Sequence, residues 1–360
     1  MIYLLNFLLV PIYYCVIRIL CKTKEQKNQI FMIIFCIHAT LFRALANPYN
    51  YVDTEGYAIA FQNIASMNLR TVFSPLNPYL EWGVGYVVIN RLIGFFTDDP
   101  KFLFICVAAL TIVPLCWLYA KTTKNDLMTV LLFLSYPMLY LMGFGVLRQH
   151  LAVTYVLLAL YFVNRAKYSL PFALLAVSFH TSAMIFFPYY IWRKLSFKKK
   201  SGKKGLVFVV GGAFCGRLLL SKILSSLSRY SDLLSSNENA NNIIPVIVIG
   251  GLVLLFLFEK TYKKTNSTDF EIYNFCLYGL AVVIFGIGLP GMGRLALYFL
   301  YIIPIAVTLL GAYSAEFKLL NIGYLFMFSL LIYVLITIDS NSIEGFNYNY
   351  SFFWEKETLR

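Results

Sequence analysis

Several side chains in this sequence sit where their chemistry is expensive. Arg148, Gln149, His180, Arg217 and Arg294 lie in or at the edge of strongly apolar stretches. An ionisable group in hydrocarbon costs about 2.5–3.5 kcal/mol on insertion scales, so such a position marks a candidate site. Arg148 follows Gly143-Phe-Gly145 at the start of a predicted helix. Free N–H groups there, beside a guanidinium that is always charged and binds in a fork, suit a phosphate-like anion. Arg294 repeats the pattern after Gly288-Leu-Pro290-Gly-Met-Gly293, and Arg217 follows Gly211-Gly212 and Gly216. The arginines read either as donors converging on one diphosphate or as separate interfacial anchors, and Gln149 is placed to share the site. His180, in Phe179-His180-Thr181-Ser182-Ala183, is a candidate acid–base or hydrogen-bond donor. Glu81 or Asp53, in the first long polar segment, is the candidate general base. Arg43 and Arg91 read as counter-ions for Asp53 or Glu81. His150 and His38 are expected to be structural.

The elements that position these groups follow from composition. The chain has 360 residues, of which 60% are hydrophobic and 13% charged, with a mean hydropathy of +0.72. A soluble domain is about half apolar and a quarter charged. Continuous apolar runs, rather than alternating segments of about ten residues, exclude a β-barrel. The expected fold is therefore an all-α polytopic membrane protein, a single integral-membrane domain over 1–360. The seven cysteines lie in or beside apolar runs, with no CxxC pair and no ligand-like spacing. They read as small buried hydrophobes, and no metal or cofactor site is expected. Met1 opens an apolar run without a basic segment before it, so no cleaved signal is expected.

Runs long enough to span occur near 1–21, 29–46, 102–120, 127–144, 146–164, 205–221, 243–258, 271–289, 294–311 and 320–338, which predicts about ten full crossings. One set of loops holds Lys22/Lys24/Lys27, Lys121/Lys124, Arg165/Lys167, Arg193 to Lys204, Lys260/Lys263/Lys264 and Lys318, which is 18 of the 30 lysines and arginines. The positive-inside rule makes that side cytoplasmic and turns both termini outward. The net charge of +13 is thus a topology signal, and no nucleic-acid partner is implied. The run from Lys198 to Lys204 can also touch anionic headgroups.

Two segments break the simple pattern. Residues 168–192 are flanked by basic residues on both sides and are too short for two full spans. They predict a re-entrant hairpin of two short helices with His180 at its tip, buried in protein or facing water. Residues 47–101 predict an outer segment with an interfacial helix near 57–67 and a half-inserted helix over 82–96. The Ser/Asn-rich stretch 222–242 predicts a second outer segment over the cavity.

In order along the chain, Asp53…Tyr57, Glu81-Trp82-Gly-x-Gly85…Asn90, Leu147-Arg148-Gln149-x-Leu-Ala152, Phe179-His180-x-Ser182-Ala183 and Gly293-Arg294 resemble the EpsG-like branch of Wzy-type polysaccharide polymerases. The resemblance covers roughly residues 30–310. It implies a glycosyltransferase with a GT-C-like membrane architecture and no required metal or cofactor, acting at the outer face of a bacterial inner or cytoplasmic membrane. The implied reaction moves a growing glycan from undecaprenyl diphosphate onto a lipid-linked repeat unit. Its partners would be undecaprenyl-diphosphate-linked oligosaccharides, membrane lipids and a chain-length regulator. In that reaction Arg148, Gln149, Arg294 and Arg217 would hold diphosphate or glycan, while Glu81, Asp53 and His180 would be catalytic. A lipid-linked oligosaccharide flippase and a glycan ligase would use a similar cavity.

Overall fold

The computed structural model describes residues 2–51, 53–135, 139–195, 202–225, 243–258, 267–287, 292–313, 350–352 and 354. Among these the regular structure is entirely helical, apart from an isolated antiparallel bridge between Ala46 and Phe352. The expected run 320–338, the tail beyond 354, most of segment 222–242 and the turn 288–291 lie outside the described residues.

The chain divides into two units, Met1–Ala183 with Leu319–Arg360, and Met184–Lys318. The first unit holds α1 (Ile2–Leu20), α2 (Lys24–Ala44), α3 (Thr54–Ser66), α4 (Leu69–Val72), α5 (Val84–Ile93), α6 (Pro100–Thr122), α7 (Asp126–Ser135), α8 (Leu147–Tyr161) and α9 (Ala166–Phe179). Sequence-level punctuation explains several starts. The Thr23 hydroxyl accepts the Gln26 N–H at the head of α2, and Asp99 accepts the Lys101 N–H before α6, whose first residue is Pro100. A side-chain oxygen at the N-cap satisfies one of the orphan donors there, and proline at the first position loses no helical bond.

Of the described helices, two are long and apolar enough to cross a membrane by themselves, Pro100–Thr122 and the pair that runs Met292–Ala312. Helices also occupy the other runs expected before residue 314, several of them shorter. The run 127–144 departs most. Its described residues form a helix over Asp126–Ser135 and a 3-10 turn at Leu141–Phe144 before α8 begins. Gly143 and Gly145 in this stretch are poor helix formers, and Arg43 packs directly on Gly143.

At the centre of the first unit is α8. From Leu147 to Leu160 all its residues are buried except Arg148. A helix apolar on every side belongs inside a bundle, and α8 packs on α6 and α9. Around it sit two elements too short to span. The ten residues of α5 occupy the predicted half-inserted segment, and α9 stops at Phe179. His180 is then extended (φ −153°, ψ 123°), and a 3-10 turn, Thr181–Phe186, leads to α10 (Phe187–Leu195). The helix break therefore falls at His180, as the sequence predicts.

The second unit contains α10, α11 (Gly202–Ser225), α12 (Ile243–Phe258), α13 (Ser267–Phe285), α14 (Met292–Leu300) and α15 (Ile303–Tyr313). Its polar anchor joins α10 to α13. The Arg193 guanidinium donates from Nε to Glu271 Oε2 at 2.9 Å and from Nη2 to Oε1 at 2.6 Å, and the Tyr189 hydroxyl donates to Oε2 at 2.8 Å.

Candidate functional site

The site is built from the first turn of α8. No side chain caps that helix; Val146 occupies the cap position. Arg148 is half-buried and donates from Nη1 to the main-chain oxygen of Trp82 at 2.7 Å. Its guanidinium carbon lies 4.9 Å from the Trp82 ring centroid and 5.8 Å from that of Tyr57. Both rings are within cation–π range. Trp82 in turn meets Tyr57 and Tyr79 edge-on, each at 5.7 Å. The Arg148 Nε is buried with no hydrogen-bond partner among the described residues. Gln149 and His150 follow it into the interior, each 1% exposed.

Trp82 is joined to the His180 break through the next residue. Gly83 has φ +104°, and a Cβ there would lie 2.5 Å from the Ser178 carbonyl oxygen and 2.9 Å from that of Phe179. Only glycine accepts both the positive φ and the approach of that backbone. A Cβ on Gly85 would likewise strike the Ser178 side chain. The pieces Glu81-Trp82-Gly-x-Gly85, Leu147-Arg148-Gln149 and Phe179-His180 thus come together in the first unit. His180 is half-buried. Its Nδ1 lies 2.6 Å from the Ser182 hydroxyl and 3.3 Å from the Ser182 N–H. Since that N–H can only donate, Nδ1 accepts, and the neutral ring carries its hydrogen on Nε2.

The two carboxylates stand at the edge of this arrangement. Glu81 is exposed, one residue before Trp82 in the 3-10 turn Pro78–Trp82. Asp53 is exposed at the head of α3, in the left-handed region (φ 66°), and its side chain makes no cap to that helix. Aspartate tolerates this conformation better than most residues.

Two expected pairings are not made. Arg43 and Arg91 are not counter-ions of Asp53 or Glu81. Arg43, in the last turn of α2, donates from Nη2 to the carbonyls of Leu139 and Tyr140, at 3.4 and 2.5 Å. Arg91 donates to the Ala65 carbonyl at 2.7 Å and lies over Phe95. In both cases nearby main-chain oxygens and ring faces meet the charge. Arg217 and Arg294 belong to the second unit. Arg217 is half-buried on α11, and Arg294 is exposed in the first turn of α14. Among the described residues no group of three His, Cys, Asp or Glu is placed to hold a metal.

Sequence reasoning missed the aromatic setting of Arg148, above all the ring faces of Trp82 and Tyr57. The signal was present as an aromatic residue beside each candidate carboxylate segment, but nothing local says which cation it serves.

Among the described residues, apolar helices packed around the buried helix α8 make an all-helical fold that fits a membrane protein. The chain matches the family model of the EpsG family over residues 30–352 and belongs to that family, a Wzy-like polymerase family of polysaccharide biosynthesis. No curated protein and no solved structure matches the chain.

Proposed function

We propose that the chain is a polysaccharide polymerase that moves a growing glycan from undecaprenyl diphosphate to a lipid-linked repeat unit. The observation that carries this is the setting of Arg148. Its charge is held by a carbonyl and two ring faces and is balanced by no carboxylate among the described residues. A donor fixed in place before the reaction is what a departing diphosphate needs, because its negative charge grows as the glycosidic bond breaks.

In this mechanism the acceptor hydroxyl oxygen attacks the donor's anomeric carbon and forms the new glycosidic bond. The bond from that carbon to the diphosphate oxygen breaks, and the lipid diphosphate leaves with the electron pair toward Arg148. Glu81 or Asp53 takes the hydroxyl proton. His180 donates from Nε2 to glycan or phosphate. About ten crossings in a GT-C-like arrangement would carry this site to the outer face of a bacterial inner or cytoplasmic membrane. A chain-length regulator would act from outside the chain. For Arg217 and Arg294 the proposal is confined to anion binding by the second unit.

The test is polymer analysis in a deletion strain complemented with this chain. Arg148→Ala, at normal protein level, should leave single repeat units at the outer face and no long polymer. Normal chain lengths would refute the assignment. Repeat units trapped at the inner face would point to a flippase instead, and unaltered polymer left untransferred to its final acceptor would point to a ligase.

A further inference from the structure

Arg43, in the last turn of α2, is 6% exposed and forms no ion pair among the described residues. Its guanidinium is enclosed by the turn that leads into α8. Nη2 donates to the carbonyls of Leu139 and Tyr140, the rings of Tyr140 and Phe144 lie 4.7 and 5.6 Å from the guanidinium carbon, and a Cβ on Gly143 would overlap it. The Tyr140 hydroxyl donates in return to the Ala39 carbonyl of α2 at 2.9 Å. The end of α2 is itself anchored. The Phe42 carbonyl accepts from the Tyr350 hydroxyl, and the Asn47 N–H donates to the Ser351 carbonyl, both at 2.8 Å. A buried cation is costly, and the partial positive charge of a nearby helix start adds to that cost. What offsets it is the hold on the turn through charge-assisted bonds, which are roughly twice as strong as neutral ones.

That turn sets where α8 begins. Val146 offers no side-chain cap, so the first amides of α8 depend on the preceding residues for their placement. The Val146 N–H donates to the Met142 carbonyl at 3.0 Å and the Leu147 N–H to that of Gly145 at 2.9 Å, inside or directly after the segment that encloses Arg43. One residue on, Arg148 reaches the Trp82 carbonyl at 2.7 Å. An N–H···O bond keeps its strength over only about 0.5 Å of separation, so a small shift of the turn detaches Arg148 from Trp82. We infer that Arg43 is a positioning residue: it holds the turn 139–144 and, through it, fixes the Arg148 guanidinium against Trp82. The consequence for catalysis rests on the polymerase proposal, in which a misplacement of about 1 Å can cost about a hundredfold in rate. The attachment itself does not rest on it.

The experiment reads the attachment by fluorescence of the purified full chain in detergent. Trp117, Trp192 and Trp354 are replaced by Phe, so that Trp82 alone of the four tryptophans remains. Arg148→Gln removes the guanidinium from the ring and sets the full emission shift. Arg43→Met should give at least half of that shift, and Arg43→Lys, which keeps a donor for the carbonyls, clearly less than Arg43→Met. Adding Arg43→Met to Arg148→Gln should change nothing further, because effects that pass through one contact do not add. A companion protein keeping only Trp117, which meets Tyr161 and Phe162 at the far end of α8, should not respond to Arg43→Met. Gly143→Ala, which pushes the guanidinium off the turn with its charge intact, should shift Trp82 emission the same way, and it stands in if the Arg43 variant fails to fold. Polymer in the complemented deletion strain is the second readout, and Arg43→Met should shorten it. An emission shift with normal polymer keeps the positioning role and refutes the role of Arg148 in polymerisation. Unshifted Trp82 emission in both Arg43→Met and Gly143→Ala, full additivity with Arg148→Gln, or an equal response of Trp117 would overturn the inference.

Discussion

Arg148 Nη1 and the main-chain oxygen of Trp82 are 2.7 Å apart, across 66 positions of sequence. This bond ties the start of the buried helix α8 to the turn that carries Glu81. It also keeps the guanidinium carbon over the Trp82 ring, 4.9 Å from its centroid. A lysine can reach the carbonyl as a point donor but offers no second, coplanar pair of N–H groups. Arg148→Lys is therefore expected to keep protein level and the attachment to Trp82, yet to shorten polymer sharply. Gel profiles of polymer from the complemented deletion strain decide it, and a wild-type ladder would show that charge alone suffices at this position.

Gly83 is where that turn packs against the backbone just before the His180 break. Alanine there meets two costs, a positive φ worth about 1–3 kcal/mol and overlap with the carbonyls of Ser178 and Phe179. Gly83→Ala should lower the thermal stability of the purified protein and reduce polymer together. Gly211→Ala is the control. It lies inside α11 with no atom within 4 Å of its would-be Cβ. There the usual preference of a helix interior for alanine applies, a gain of about 0.5–1 kcal/mol. Equal loss in the two variants would remove Gly83 from its special role.

The elements of this fold were legible in the sequence wherever one residue type dictates a local outcome. Pro100 after Asp99 announces the start of α6, and the histidine between two short apolar runs marks the end of α9. The site was legible only in part. Arg148 stood out because a charge in an apolar run is conspicuous, whereas its partner is a main-chain oxygen, which every residue possesses. The same reason explains Arg43. Charge pairing is the one partner rule that sequence offers, and it pointed to Asp53 and Glu81. The fold instead brought up the carbonyls of Leu139 and Tyr140, about a hundred positions away.

At His180, the Ser182 N–H and hydroxyl both address Nδ1. The turn is thus held through Nδ1, and the proposed mechanism assigns donation to Nε2. The two roles separate by substitution. In His180→Asn the amide oxygen falls near the Nδ1 position and keeps the turn. In His180→Gln an amide N–H reaches toward the Nε2 position. If Nε2 donates to substrate, the glutamine variant retains measurable polymer and the asparagine variant has none, at equal protein levels. The opposite order would make the turn, and not the donor, the essential feature.

In the second unit, Glu271 accepts from Arg193 twice and from Tyr189 once, with side chains only 12% and 21% exposed for Glu271 and Arg193. Removing one partner of such a pair strands the other charge. Glu271→Gln is expected to cost about 1.5–3 kcal/mol, the range for hydrogen bonds to charged groups, measured as a lower midpoint in thermal unfolding. Arg193→Met should cost a similar amount. Replacing both at once, as Arg193→Met with Glu271→Leu, removes the stranded charge and its desolvation together. Packed apolar replacements of a buried pair are often neutral, so the double variant should recover most of the loss. If instead the two single losses simply add, Arg193 and Glu271 stabilise the unit independently, and their 2.6 Å contact contributes nothing of its own.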